Sequence, residues 1–174
     1  MVRMIFIATL WYFTSTLRAQ SVDKVYIQAA QAKLKNAKEY TLKVASLMPE
    51  ELYSFKPAPD EMSFGKQLIH ISENMGWLTS SYLKNERNPV SKVDLKLTQK
   101  DSIIALVTRT YEYALQALEG FTPNQLSDTV SFFAGPMYKL QIINLLNDHQ
   151  THHRAQLIVY LRLQGIKPPP YVGW

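Results

Sequence analysis

The sequence predicts an all-α fold, a single four-helix bundle with a short irregular segment before the last helix. Four segments repeat apolar residues at helical spacing, prolines and glycines fall between them, and strand-like alternation is confined to one short stretch. A chain of 174 residues, 47% apolar and 19% charged, is large enough for one sizeable core and too apolar to be disordered. No internal repeat, low-complexity tract or domain boundary occurs after residue 20, so residues 21–174 are read as one domain.

Residues 1–20 read as a secretory signal peptide. Met1-Val2-Arg3 is a short positive start, and Met4–Leu17 carries no charge. That run is shorter than the roughly 20 apolar residues a bilayer span needs. Cleavage is expected after Ala19 or Gln20; it would remove Arg3 and Arg18 and lower the formal charge from +5 to +3. The mature chain would then be periplasmic or secreted, without a transmembrane span. The alternative is a cytoplasmic chain whose first helix begins early.

The first helix is predicted from an Asp23 N-cap to about Met48, where Pro49 stops it. Val25, Ala29, Ala32, Ala37, Tyr40, Val44 and Leu47 form its expected stripe. Residues 49–62 hold Pro49, Pro57 and Pro59, which exclude a regular element, and Tyr53 and Phe55 are expected packing anchors. Ser63 should cap a second helix to Tyr82 or Leu83, buried through Phe64, Leu68, Ile71, Met75, Leu78 and Tyr82. Asn85–Leu97 is polar, carries Pro89 and reads as a loop.

Thr98-Gln99-Lys100-Asp101 has the form of a capping box for a third helix. Ile103, Ile104, Val107, Tyr111, Ala114, Leu115 and Leu118 follow, and Gly120 stops it; core packing accounts for the whole pattern. Thr129-Val130-Ser131-Phe132-Phe133 is the short extended piece, with Pro123 and Gly135-Pro136 as punctuation. The fourth helix is expected from about Met137 to Gln164, buried through Leu140, Ile143, Leu146, Leu157, Val159, Tyr160 and Leu161. Gly165 and Pro168-Pro169-Pro170 end it.

Composition narrows the chemistry. Cysteine is absent, which removes disulfides, thiolate ligands and a cysteine nucleophile, so a metal must rest on histidine and oxygen. The +5 charge raises the question of nucleic acid, but Lys33, Lys35, Lys38 and Lys43 are spread around the first helix as on a solvated face. There is no basic block interleaved with aromatics and no glycine-rich phosphate loop, which argues against nucleic acid as partner.

Three of the four histidines fall within Asp148-His149-Gln150-Thr151-His152-His153-Arg154-Ala155-Gln156. His149 and His153, four apart, project from one helix face and can grip one divalent ion. His152 is a rival to His153, because spacing of three also brings two side chains together. His70, one residue off the second helix's apolar stripe, shares a line with Gln67, Asn74 and Trp77. It supplies a third ligand if the two helices pack side by side. Polar residues at His149, His153 and Gln156 on an inward ridge cost stability unless something satisfies them, as a metal would.

Together, Met48-Pro49-Glu50-Glu51-Leu52-Tyr53-Ser54-Phe55-Lys56-Pro57, Met62-Ser63-Phe64-Gly65 with Leu68-Ile69-His70, and the downstream His-x3-His-Arg-x-Gln resemble the DinB/YfiT-like superfamily. The resemblance covers nearly everything after the leader. It implies a four-helix bundle and a divalent ion, zinc, nickel or similar, held by His70, His149 and His153, with His152 turned away. It also implies relatives that include metal-dependent thiol S-transferases and a thiol-dependent isomerase, and it is compatible with a homodimer.

Three imidazoles would leave the metal its full charge and an open position for a water or a thiol. The expected function is therefore a metal-dependent enzyme, transferase or hydrolase, acting on a small molecule. The alternative is a non-catalytic metal- or ligand-binding bundle. Asn74, Trp77, Arg154 and Gln156 are candidates for orienting ligands or lining the pocket, with a structural ion pair as the other reading of Arg154. No general base stands out: Asp148 and Glu73 read first as solvated charges, and otherwise as partners of a ligand imidazole.

Overall fold

The structure, a computed structural model, describes the backbone of residues 2–174 and the side chains of residues 22–174; the side chains of the expected leader at residues 1–20 lie outside the described residues. Four helices make the frame: α1 (Val2–Leu47), α2 (Phe64–Leu78), α3 (Lys100–Glu119) and α4 (Lys139–Leu163). Helices α1 and α2 each pack against both α3 and α4, so the order around the bundle is α1, α3, α2, α4. Among the described residues, no helix is long and apolar enough to cross a membrane.

The buried face of α1 corrects the expected stripe. Ile27, Ala30, Leu34, Ala37, Thr41, Val44 and Met48 are buried, alternating steps of three and four, the spacing of a helix–helix seam. Val25, at 61% exposed, and Leu47, at 42%, lie outside it, as do Ala29 and Ala32. Thr41 is the polar member that disguised the seam. Asp23 does not cap α1 but lies within it; neither proline nor glycine precedes it to start a helix there.

The 49–62 connection behaves as its prolines require, with a single 3-10 turn at Glu50–Leu52. Tyr53 is buried and donates to the Ala45 carbonyl at 2.9 Å, while Phe55 meets the edge of Tyr160. Ser63 caps α2 by accepting from the Lys66 amide. The helix then widens into a π-helical turn, Thr79–Lys84, closed by Asn85 in the left-handed region at φ 52°.

The capping box expected at Thr98 does not form: α3 starts one residue later, with Gln99 at the cap. The Glu50 carboxylate instead reaches the Lys100 amide, and the Lys100 ammonium donates to the Ser46 and Met48 carbonyls at the end of α1, each at 2.8 Å. A charge held against those orphan carbonyls serves both helix ends at once.

Strands β1 (Thr129–Phe132) and β2 (Gly135–Tyr138) form an antiparallel hairpin, Phe132 opposite Gly135. Gly135 and Pro136 are thus in the second strand, and Phe133-Ala134 makes the turn. The positive φ of Gly135, 113°, lets the chain leave that turn. Strand β2 runs straight into α4, whose first residue is Lys139. Val159 is 50% exposed, a correction to the expected burial; Leu157, Tyr160 and Leu161 carry that turn.

Candidate metal centre

Helices α2 and α4 lie side by side and antiparallel, since Gln67 meets His153 and Tyr160 while His70, one turn further along α2, also reaches His149. Ring centroids are 5.0 Å apart for His70–His149, 4.6 Å for His70–His153 and 4.5 Å for His149–His153. One donor nitrogen from each ring lies within 4.8 Å of the other two. Zinc–nitrogen bonds of about 2.0–2.1 Å set tetrahedral donors about 3.4 Å apart, so small side-chain rotations close the set around one ion. The three-histidine group can hold a metal.

Which nitrogen of His153 is offered follows from a directional chain of hydrogen bonds. The Tyr160 hydroxyl donates its proton to the Met62 carbonyl at 2.9 Å. It must therefore accept from Gln67, whose Nε2 lies 3.3 Å away. That turns Gln67 Oε1 towards His153 Nδ1, at 2.5 Å, and Nδ1 carries the hydrogen. The lone pair is left on Nε2, the arrangement a ligating imidazole needs. Gln67 is fully buried, so its amide has no solvent to turn towards.

The His149 and His153 rings are also held neutral. Burial first, then the imidazoles of His153, His70 and His152, pull the His149 pKa down to about 4. Burial, then His70 and His152, lower His153 to about 4, with Gln156 acting in the opposite direction. Neutral rings keep their lone pairs at pH 7. Close imidazoles in a partly dry site would repel one another if protonated, so the site suits one shared metal ion better than a proton on each ring.

The remaining candidates separate. His152 is exposed, outside the donor group, with Nε2 3.1 Å from Gln156 Nε2. Gln156 Oε1 is buried without a hydrogen-bond partner among the described residues, an acceptor left over on the His149–His153 ridge. Glu73 places a carboxylate oxygen 3.7 Å from His70 Nδ1, whereas Asp148 is exposed and acts on Tyr26. Asn74 and Trp77 are half-buried along the His70 line.

Arg154 turns the other way. It is buried, donates to Gln150 Oε1, to Thr41 Oγ1 at 3.4 Å and to Thr151 Oγ1 at 3.2 Å, and its guanidinium lies 5.1 Å from the Tyr40 ring centre. Among the described residues no carboxylate pairs with it. Tyr111 completes this network through Thr41 and Gln150, so α3 holds a buried polar residue that its sequence pattern disguised as core. The roles of Gln67 and Tyr160 were also missed. The available signal was a polar residue one turn before His70 on the inner side of an apolar helix.

Comparison with known proteins adds the family. The model of the DinB family matches residues 23–173. The uncharacterized protein YjoA of Bacillus subtilis strain 168 is 25% identical over 135 residues, spanning 75% of this chain and 86% of its own. A crystal structure of a DinB-like protein from Bacillus cereus ATCC 10987 superposes with TM-score 0.71 at 23% identity, covering 84% of this chain and 95% of that one. The crystal structure of YjoA gives 0.64 at 20% identity over 82% and 96%. A conserved protein from Enterococcus faecalis gives 0.68 at 15% identity over 78% and 95%. At these identities the structures speak for the fold alone.

Proposed function

Because this chain belongs to the DinB family, we propose that its converged histidines form a divalent-metal centre, zinc or nickel, at which a small molecule reacts. One observation carries the reading: three donor nitrogens within 4.8 Å of one another, one of them fixed in its tautomer by a buried relay. Held by His70, His149 and His153, a divalent ion would supply Lewis-acid chemistry that acidifies a water or a thiol, which suits hydrolysis or thiol transfer.

This chain's own residues do the positioning. Gln67 and Tyr160 aim His153, and the half-exposed Glu73 carboxylate stands 3.7 Å from His70 Nδ1. Gln156 offers a free buried carbonyl on the same ridge. The site also bridges α2 and α4, which favours a second reading in which the ion only braces the bundle. Arg3 followed by the uncharged Met4–Leu17 run supports export, which mass measurement of the mature N-terminus checks.

Elemental analysis after metal loading should give one ion per chain. His70→Ala, His149→Ala and His153→Ala should each lose it, and His152→Ala should keep it. A folded wild-type protein that takes up no ion overturns the centre. Turnover of thiol-conjugation or ester and amide panels by the loaded form, absent in His153→Ala, selects the enzyme over the brace.

A further inference from the structure

Beyond the three histidines, the α2–α4 seam ends in an aromatic cluster. From it we infer that the centre acts on molecules carrying a flat apolar ring about 10 Å from the reacting group, an inference that rests on the metal-centre reading. His70, Asn74 and Trp77 stand at steps of four and three on α2, hence on one face, with Trp77 about 10 Å along the axis from His70. Because α2 and α4 are antiparallel, this end of α2 meets the start of α4, where the hairpin joins.

Phe132 packs against Trp77 at 5.7 Å and Tyr82 at 5.4 Å, and is buried. Phe133, at the hairpin turn, is 84% exposed yet lies nearly parallel to Trp77, 26° between planes and 6.3 Å between centres. A two-residue hairpin turn ordinarily takes small or polar residues. A phenyl ring placed there and backed by an indole offers a flat face to whatever enters the seam. Asn74, half-buried midway between His70 and Trp77, adds one amide for a polar linker.

The occupant follows from the spacing. The interval between imidazoles and shelf is the length of a small molecule, and Trp77, which backs the shelf, shares its helix face with His70. A second copy of this chain would not need that alignment. The head of the substrate is a water- or thiol-reactive group at the centre, and its tail is an aromatic ring stacked on Phe133 and Trp77.

Calorimetric titration of the metal-loaded protein with two hydroxamates tests this, since both carry the same chelating head. 6-Phenylhexanohydroxamate, whose extended chain is long enough to set its ring on the shelf, should bind about tenfold or more tighter than hexanohydroxamate, the worth of one ring stacked and removed from water. Phe133→Ser, at an exposed turn, should erase that preference while leaving hexanohydroxamate affinity and metal content unchanged. Equal affinity for the two probes in loaded wild type, or a preference that survives Phe133→Ser, overturns the subsite. Metal content in the same samples separates the readings: no ion overturns the centre, whereas a loaded protein without aryl preference overturns the shelf alone. Self-association lost in Phe133→Ser with aryl affinity intact would make the cluster a contact between copies, and also overturns it.

Discussion

Replacing Gln67 by leucine would keep much of the buried volume, yet remove both the acceptor that holds His153 Nδ1–H and the donor that meets Tyr160. Nothing would then decide between the two tautomers of His153. Gln67→Leu should weaken metal affinity about 10- to 100-fold, as loss of a partner behind a ligating histidine commonly does. Competition against a chromophoric chelator reads this, and unchanged affinity would show that the relay does not aim the ring. The same rings set a pH dependence. His149 and His153 have folded pKa values near 4, below the ordinary 6.5, so the unfolded chain binds more protons between those limits. Stability therefore rises with pH across that window: it is fully present above about 6.5 and falls away towards 4. The melting temperature of the metal-free protein should drop from pH 7 to pH 4.5, and His149→Ala should flatten the slope; a flat wild-type profile would contradict the burial of these rings. The histidines themselves were legible in the sequence because they are rare, regularly spaced and of one chemistry. The roles of Gln67, placed on the His70 line, and of Tyr111, read as core, were not, because neither is defined until its partner, 86 or 39 residues away, is known.

Each helix end and each helix face answers to a neighbour rather than to local spacing alone. The α1 seam shows this: Ile27 and Leu34 belong to it, but Thr41 in their register broke the apolar pattern, and alanines supplied a false one. The capping box at Thr98 fails similarly, because Glu50, 50 residues away, reaches the α3 terminus that Thr98 was expected to serve. What sequence did show at this scale were the stops and starts fixed by local chemistry: the ring of Pro49, the hydroxyl cap of Ser63 and the positive φ of Gly165. Gly76 was invisible to it. An added Cβ there would stand 2.6 Å from Asn88 Oδ1 and 2.8 Å from Val90 Cγ2, so the 85–97 loop lies directly on α2. Asn88 cannot swing clear cheaply, because its Oδ1 accepts from the Val90 amide at 2.9 Å. Gly76→Ala gains about 1 kcal/mol of helix propensity but should lose more to overpacking. A net destabilisation of about 1–2 kcal/mol in urea is expected, with faster hydrogen exchange in residues 86–93. A more stable variant would mean the loop is not pinned there.

At the scale of the whole molecule two distinct polar assemblies hold the four helices. One is the histidine centre with its relay, joining α2 to α4. The other joins α1, α3 and α4 through Thr41, Tyr111, Gln150 and Arg154. Although His153 and Arg154 are chain neighbours, they share no partner, and each faces a different side of α4. Arg154→Met removes the charged donor from Gln150, Thr41 and Thr151, leaving Tyr111 as the remaining partner of the first two, and should cost about 3 kcal/mol. For a chain of this size that lowers the melting temperature by roughly 10 °C. Metal removal acts through the other assembly. An ion that binds only the folded state, present at a thousand times its dissociation constant, stabilises by about 4 kcal/mol, so a chelator should lower melting by roughly 10 °C as well. If the assemblies are separate, the two losses add within about 0.5 kcal/mol: Arg154→Met melts lower with and without metal, and the chelator-induced drop is the same size in both proteins. His153→Ala should melt at one temperature whether or not chelator is present. A chelator effect that vanishes in Arg154→Met would join the two networks into one, and would make Arg154 part of what holds the ion.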